Sequence, residues 1–501
     1  MSKIKNLFFE NNAKVNLSKK AVRGGFWVLA LKIVGGLFNL ARLIIIARIL
    51  APQDFGLMGI ALLTMGTLET FSRTGFQEAL IQKKEKIESY LNSAWTVLIL
   101  RGFVLFALLY FIAPYAAIFF KTPLATSIIR IVGFSILLQA FTNIAVVYFQ
   151  KELEFNKQFF YQLSGILADF IVAVSVAIIF KNVWALVFGL LAGNFVRLVL
   201  SYFIHPYRPH FSPDLEKAKE LFGFGKWVFG SSILIFLITQ GDDLLVGKLL
   251  GATMLGFYQM AYRISNLPAT EITHVISQVT FPLYSKLQNN LSKLKQVYLR
   301  ILQTTILLSL PIAGLIFVLA PDFTKIFLGE KWMPMVPAMQ ALCIFGVTRS
   351  IGATMGSVLY SIGRPKIQTK LSSIQLIAMA MIIYPLTIQW GILGTSLAVV
   401  IPNILALILI TIETKNLIEF RYKDVLMSII GPIFAVFIIF FMAFLMGKLF
   451  PFAKNIFNFL LLTALYIIIY FVTVYIIDRK RGGKISRETK MIFANLNLTE
   501  K

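Results

Sequence analysis

A single cysteine, Cys343, stands in a chain of 501 residues, which excludes an internal disulfide. It lies within an apolar segment and reads as a small core residue. Only three histidines occur, His205, His210 and His274, two of them in a polar loop, and no metal-ligand spacing appears. Neither a metal nor a cofactor is expected. The nucleotide-binding pattern G-x-x-x-x-G-K-[ST] is missing, so these residues hold no P-loop for ATP hydrolysis. There is no nucleophile–base constellation and no long polar region to house one, which argues against an enzyme. Charge is scarce as well. Charged residues make up 14% of the chain, against roughly 25% in soluble domains.

What is there instead is hydrocarbon. Hydrophobic residues make up 58% of the chain, and apolar runs of about 20 residues, each able to cross a core of roughly 30 Å, recur along it. Backbone groups inside a bilayer have no water to bind, so each run must be a helix or a strand of a closed barrel. The runs are too long and too uniformly apolar for barrel strands. The expected fold is therefore an all-α integral membrane protein of about fourteen transmembrane helices. The fourth expected span covers 125–149, the seventh 224–241 and the eighth 244–266. The polar, basic N-terminus lacks a short apolar region with a cleavage site, so the first span is expected to be retained.

The few charges are mostly positive, 48 Lys and Arg against 23 Asp and Glu, a formal net charge of +25. In a soluble protein that excess would suggest nucleic acid. Here the basic residues fall in the N-terminal segment and in every second loop, including Lys83, Lys84 and Lys86, then Lys151 and Lys157, then Arg364, Lys366 and Lys370. By the positive-inside rule these loops and both termini are cytoplasmic, and no nucleic-acid partner is expected. Three segments before spans look amphipathic and suited to the headgroup region: the first 23 residues, "PDLEKAKELFGFGKW" with Ser212 as N-cap and Pro213 as first helical residue, and "NNLSKLKQVYLR".

The chain also repeats itself. A shift of 200 places Gly25 and Trp27 on Gly225 and Trp227, and Leu50 and Gly56 on Leu250 and Gly256. Farther on, Ala113-Pro114 matches Ala320-Pro321, and Trp184 matches Trp390. The order of these matches indicates two six-span lobes, 1–210 and 211–420, followed by two further spans in 421–478 and a basic cytoplasmic tail in 479–501. Six spans return the chain to its starting side, so the lobes share one orientation. Transporters with internal repeats bind substrate near the midplane.

Charges at membrane depth cost roughly 2.5–3.5 kcal/mol each on insertion scales and point to function. Lys32 and Asn39, seven residues apart, share a helix face, and Arg42 lies nearby on the wheel. With Arg73, Arg263 and Arg349 they form a candidate cationic lining for an anionic ligand, arginine being shaped for bidentate phosphate contacts. Arg101 and Arg197, near span ends, are expected to reach the headgroups. Asp242 and Asp243 either bind a coupling cation or proton or neutralise Lys248. Asp169 is either a relay site or the partner of an arginine in its own half. The pair Gly189 and Gly193 reads as helix packing.

"LARLIIIARILAPQDFGLMGIA", with "FSRTGFQEALIQKK" after it, resembles the opening of bacterial polysaccharide exporters of the oligosaccharide flippase type, among them colanic-acid, teichuronic-acid and O-antigen translocases. "GDDLLVGKLLGATMLGFYQMAYRISNLP" and "VTFPLYSKLQ" resemble the second-half signature of that family. The resemblance implies the fold of the multidrug/oligosaccharidyl-lipid/polysaccharide exporter superfamily, two six-helix bundles in a V around a cavity with two added C-terminal helices. It implies a polyprenyl-pyrophosphate-linked oligosaccharide as substrate, with polysaccharide polymerases or glycosyltransferases as neighbours. In related lipid II flippases cavity arginines engage pyrophosphate, and Arg42 matches one of them. A cation site on the seventh span occurs in some relatives, which supports the cation reading of Asp242 and Asp243. The competing reading, an ion-coupled multidrug or organic-cation exporter of the same fold, calls for acidic and aromatic lining, which the cationic excess opposes.

Overall fold

The computed structural model describes residues 2–480 apart from 73–75, 77–79, 81–86, 213, 273–279, 282 and 450–454. Arg73, the basic loop at 83–86 and the tail beyond 480 lie outside the described residues. Among those described, regular structure is helical throughout.

The first compact unit, Met1–Gly256, holds α1 (Ser2–Ile49), α2 (Pro52–Phe71), α3 (Glu88–Phe119), α4 (Ala125–Ala140), the short α5 (Val147–Lys151), α6 (Phe155–Phe180), α7 (Trp184–Ile204) and α8 (Leu215–Leu250). Helix α1 packs along α6 and α6 along α7, while α4 packs on α2, α3 and α7, and α8 on α2 and α3. Helix α9 (Ala252–Ser265) leads into the second unit, Phe257–Lys501. That unit holds α10 (Leu291–Phe323), α11 (Val336–Ser361), α12 (Pro365–Ile418), α13 (Tyr422–Leu449) and α14 (Ile456–Lys480). Its core is built on α10, which packs against α11, α13 and α14.

Among the described residues nine helices are long and apolar enough to cross a bilayer, or ten if α4 and the bent piece after it form one span. The expected total of about fourteen also includes 55–76, 224–241 and 244–266, which length and composition do not single out. The eighth expected span is not one helix. Gly251, at φ 85°, breaks it between α8 and α9, a backbone state open to glycine at little cost. The fourth is bent by 72° between α4 and Ile144–Lys151. Asn143 holds the bend, accepting from the Ala145 N–H at 3.0 Å and donating to the Tyr207 carbonyl at 2.7 Å.

The three amphipathic segments are not separate surface helices. They are the first turns of α1, α8 and α10, because no proline interrupts the chain between each segment and the apolar run after it. Helix α8 begins at Leu215, two residues beyond the expected Pro213 start. The opposite event occurs in α12, whose 54 residues are two helices. Thr387 and Thr395 hydrogen-bond side chain to side chain at 2.8 Å, whereas eight residues of straight helix rise about 12 Å. The chain therefore reverses at Gly391 (φ 59°), next to Trp390, the residue that the repeat aligns with Trp184 at the α6–α7 joint.

Prolines inside the helices show why neighbours matter in a bilayer. Proline has no N–H, so the carbonyl four residues earlier loses its helical donor. Pro114 frees the Tyr110 carbonyl, and Arg130 Nε of α4 donates to it at 3.3 Å with its guanidinium 4.2 Å from the Tyr110 ring centre. Pro321 frees the Phe317 carbonyl, and Gln340 Nε2 of α11 donates to it at 3.0 Å. These two prolines are the pair aligned by the repeat, and each is served by the next long helix. Pro311 frees the Leu307 carbonyl, and the Tyr470 hydroxyl of α14 donates to it at 3.1 Å.

Candidate functional site

Helices α1 and α6 run parallel in a fixed register. Trp27 lies against Phe159 with ring centres 5.1 Å apart, and Phe38 against Phe170 at 5.6 Å. Both contacts join residues 132 apart in sequence. By that register Arg42 stands level with residue 174, but helical side chains lean toward the N-terminus. Its long side chain reaches back to α6, where Nη2 meets Asp169 Oδ1 at 2.9 Å. The two side chains keep 16% and 23% of their surface exposed. The pair is therefore placed inside the bundle without being sealed.

Close approach of α7 completes this environment. A Cβ on Gly189 would overlap Asp169 Oδ1, and one on Gly193 would stand 3.1 Å from Asp169 Cβ and 3.7 Å from Arg197 Nη2. Arg197 turns inward rather than to the headgroups. Its Nε donates to the Gly193 carbonyl at 3.2 Å, Nη2 to Asn194 Oδ1 at 3.0 Å and Nη1 to Gln162 Oε1 at 3.4 Å. Two guanidinium groups and one carboxylate thus gather at membrane depth, leaving one formal positive charge among the three. The sequence reading sends Arg197 to the headgroups, although Gly193 and Gly189, one and two turns before it, signal a helix close enough to share its bonds.

The remaining candidates lie elsewhere. Lys32 and Asn39 are half-buried on α1, on the stripe that leads to Arg42. Asp242 is buried in α8 and Asp243 half-buried beside it. In the second unit Arg349 Nη1 donates to the Tyr262 hydroxyl at 3.3 Å, and its guanidinium lies 5.8 Å from the Phe345 ring. Arg263, next to Tyr262 in α9, is exposed. Lys248 sits 4.1 Å from the Phe119 ring centre. A cavity of about 690 Å³ between α4, α6 and α7 is walled by residues such as Phe134, Phe141, Val176, Phe188 and Phe195. Its lining side chains are all hydrocarbon, so it offers nothing to a phosphate.

Residues 45–337 match the family described as "Polysaccharide biosynthesis protein". The chain belongs to this polysaccharide biosynthesis protein family. It is 28% identical over 359 residues to the lipopolysaccharide biosynthesis protein WzxC of Escherichia coli strain K12, covering 71% of this chain and 73% of that one. It is 30% identical over 294 residues to the teichuronic acid biosynthesis protein TuaB of Bacillus subtilis strain 168, covering 58% and 60%. Among solved structures, the lipid II flippase MurJ in an inward closed conformation matches with a TM-score of 0.73 at 17% identity, over 92% of this chain and 99% of that chain. An inward-facing multidrug resistance transporter of the MATE family matches at 0.61 and 18% identity, over 77% and 94%. The fold of this family member is accordingly like that of these two solved structures, and it is a multi-pass membrane protein.

Arg101 shows a cation of this family member engaged by the protein itself. It caps the C-terminus of α2, donating from Nε to the Ser72 carbonyl at 2.8 Å and from Nη2 to the Glu69 carbonyl at 3.2 Å and Ser72 Oγ at 2.8 Å. Helix C-termini carry unpaired carbonyls and partial negative charge, so a guanidinium there is a structural element.

Proposed function

We propose that this protein carries a polyprenyl-pyrophosphate-linked oligosaccharide across the cytoplasmic membrane of a bacterium by alternating access, for the synthesis of cell-surface polysaccharide. The observation that carries this reading is the partly exposed Arg42, held at membrane depth in a cluster of net positive charge, in a chain of the polysaccharide biosynthesis family. Guanidinium recognises phosphate through paired N–H donors and keeps its charge in poorly solvated surroundings. Arg42 is the leading pyrophosphate ligand. Lys32, Asn39, Arg73, Arg263 and Arg349 supply further polar contacts along the path, and the lipid tail stays among the membrane lipids. Asp242 and Asp243 are candidates for a coupling ion. Both termini are cytoplasmic, and polymerases or glycosyltransferases that make or consume the glycan are the neighbouring partners.

The test is genetic and chemical together. Deleting the gene should cause a lipid-linked glycan to accumulate in the inner leaflet, and the wild-type gene should restore export. Complementation by Arg42→Ala and by Lys32→Ala should fail or export slowly. Undiminished export by both would remove these residues from the site, and an unchanged lipid-linked pool in the deletion strain would remove the function.

A further inference from the structure

Resting on that reading of Arg42, we infer that Asp169 is an internal competitor for the substrate's pyrophosphate. It holds the Arg42 guanidinium while the site is empty, yields it when a phosphate group arrives, and reclaims it to expel the product. The carboxylate occupies Arg42 Nη2 at 2.9 Å, and carboxylate and phosphate are bound by the same N–H fork. Asp169 takes Nη2 while Arg42 Nε makes no hydrogen bond, so a phosphate that binds the Nε–Nη2 edge through both donors must displace Asp169 from Nη2, and binding becomes an exchange of partners.

Three features make the exchange feasible. First, Arg42 Nε and Asp169 Oδ1 are themselves buried, but 16% of the Arg42 side chain and 23% of the Asp169 side chain stay exposed, so the pair is not sealed off. Second, the guanidinium can leave without stranding the carboxylate. Arg197 approaches from α7, where Gly193 would place a Cβ 3.1 Å from Asp169 Cβ and 3.7 Å from Arg197 Nη2. A second cation therefore still compensates Asp169, and Arg197 is itself steadied by Gly193, Asn194 and Gln162. Third, the competitor and the ligand-bearing arginine sit on different helices, α1 and α6, whose register is set by the Trp27–Phe159 and Phe38–Phe170 contacts. The carboxylate thus stays in place while the flexible arginine moves. A carrier benefits from this arrangement because tight capture alone would slow release.

The experiment uses the full-length protein, with farnesyl pyrophosphate as the binding probe and translocation of the native lipid-linked glycan in proteoliposomes as the turnover assay. Asp169→Asn should bind the probe more tightly, by about tenfold, while its turnover falls. Asp169→Glu, which restores the charge, should return both values toward wild type. A purely structural role for Asp169 would instead weaken binding and turnover together. Equal or weaker probe binding by Asp169→Asn, in a protein whose binding is abolished by Arg42→Ala, would overturn the exchange and leave the proposed function standing. Wild-type binding by Arg42→Ala would instead remove the assignment of Arg42 as ligand. Should Asp169→Asn fail to assemble, a structure of the wild-type protein with farnesyl pyrophosphate gives an independent reading. Arg42 on the phosphate and parted from Asp169 supports the exchange, and Arg42 still on Asp169 overturns it.

Discussion

Gly56 faces the carbonyl oxygen of Ala252, and Gly256 faces that of Pro52. The four residues form two pairs separated by 200 in sequence, so each copy of one short segment receives the other in the same way. Such reciprocity is the signature of a two-fold relation between equivalent pieces. All four residues lie within the first compact unit. The two turns before these helices use different chemistry. Ala51 at φ −78°, ψ 155° precedes Pro52 in one, and Gly251 at φ 85° opens the other.

A methyl group on either glycine would overlap a backbone oxygen that no side-chain rotation can move. Gly56→Ala and Gly256→Ala are each expected to destabilise the protein by about 1–3 kcal/mol, the range for overpacked sites. Thermal unfolding in detergent, followed by gel filtration, measures this. Unchanged melting in both variants would show that α2 and α9 do not meet as described.

Tyr470→Phe should cost about 1–3 kcal/mol, because it leaves the Leu307 carbonyl without a donor. Pro311→Ala restores the missing N–H. In that background the tyrosine substitution should be close to neutral. A double-mutant cycle tests this directly. Equal costs in both backgrounds would mean that the hydroxyl does not serve the proline-freed carbonyl.

Arg101→Met removes three hydrogen bonds from the end of α2 while keeping much of the side chain's bulk. Its melting temperature should fall, because the Ser72 and Glu69 carbonyls and Ser72 Oγ lose their donor. A transport defect in an otherwise equally stable protein would instead assign Arg101 to the substrate path.

His205, in the loop after α7, stacks on Tyr148 with ring centres 5.3 Å apart and accepts from the Tyr207 N–H at 3.1 Å. Burial first, then the nearby Lys157, hold its pKa below the ordinary value; Glu154 opposes them and Arg208 adds a smaller push in the same direction as Lys157. The folded state therefore favours the neutral ring and the unfolded chain binds the extra proton. Stability from this group is fully present above the ordinary histidine pKa near 6.5 and declines as pH falls toward the depressed folded value. His205→Phe, which keeps an aromatic ring against Tyr148, should melt with a flatter pH dependence between pH 7.5 and 5.5. A slope equal to that of the wild type would assign the acid sensitivity to other groups.

Much of the architecture was legible because its causes are local. Run length and composition marked the apolar helices. The α6–α7 joint at Trp184 and the reversal at Trp390 fall where the repeat aligns them. Local reasoning failed where a continuous helix or a break depended on single residues. Three amphipathic segments merged into longer helices, and Gly251 split an expected span. The candidate site was legible only in part. Arg42 stood out because it lies deep in an apolar run, whereas Arg197 and Arg101 near span ends looked like surface cations.

By itself, then, the sequence determined that this chain is a helical membrane protein with too many cations for its acids, since hydrophobic length and charge count need no knowledge of neighbours. Only the tertiary structure decided what each buried charge and freed carbonyl meets. The parallel register of α1 and α6 put Arg42 on Asp169, and the packing of α14 on α10 put Tyr470 on Leu307. A hydrogen bond acts over about 3 Å, and such distances between residues more than a hundred apart are set by how helices pack.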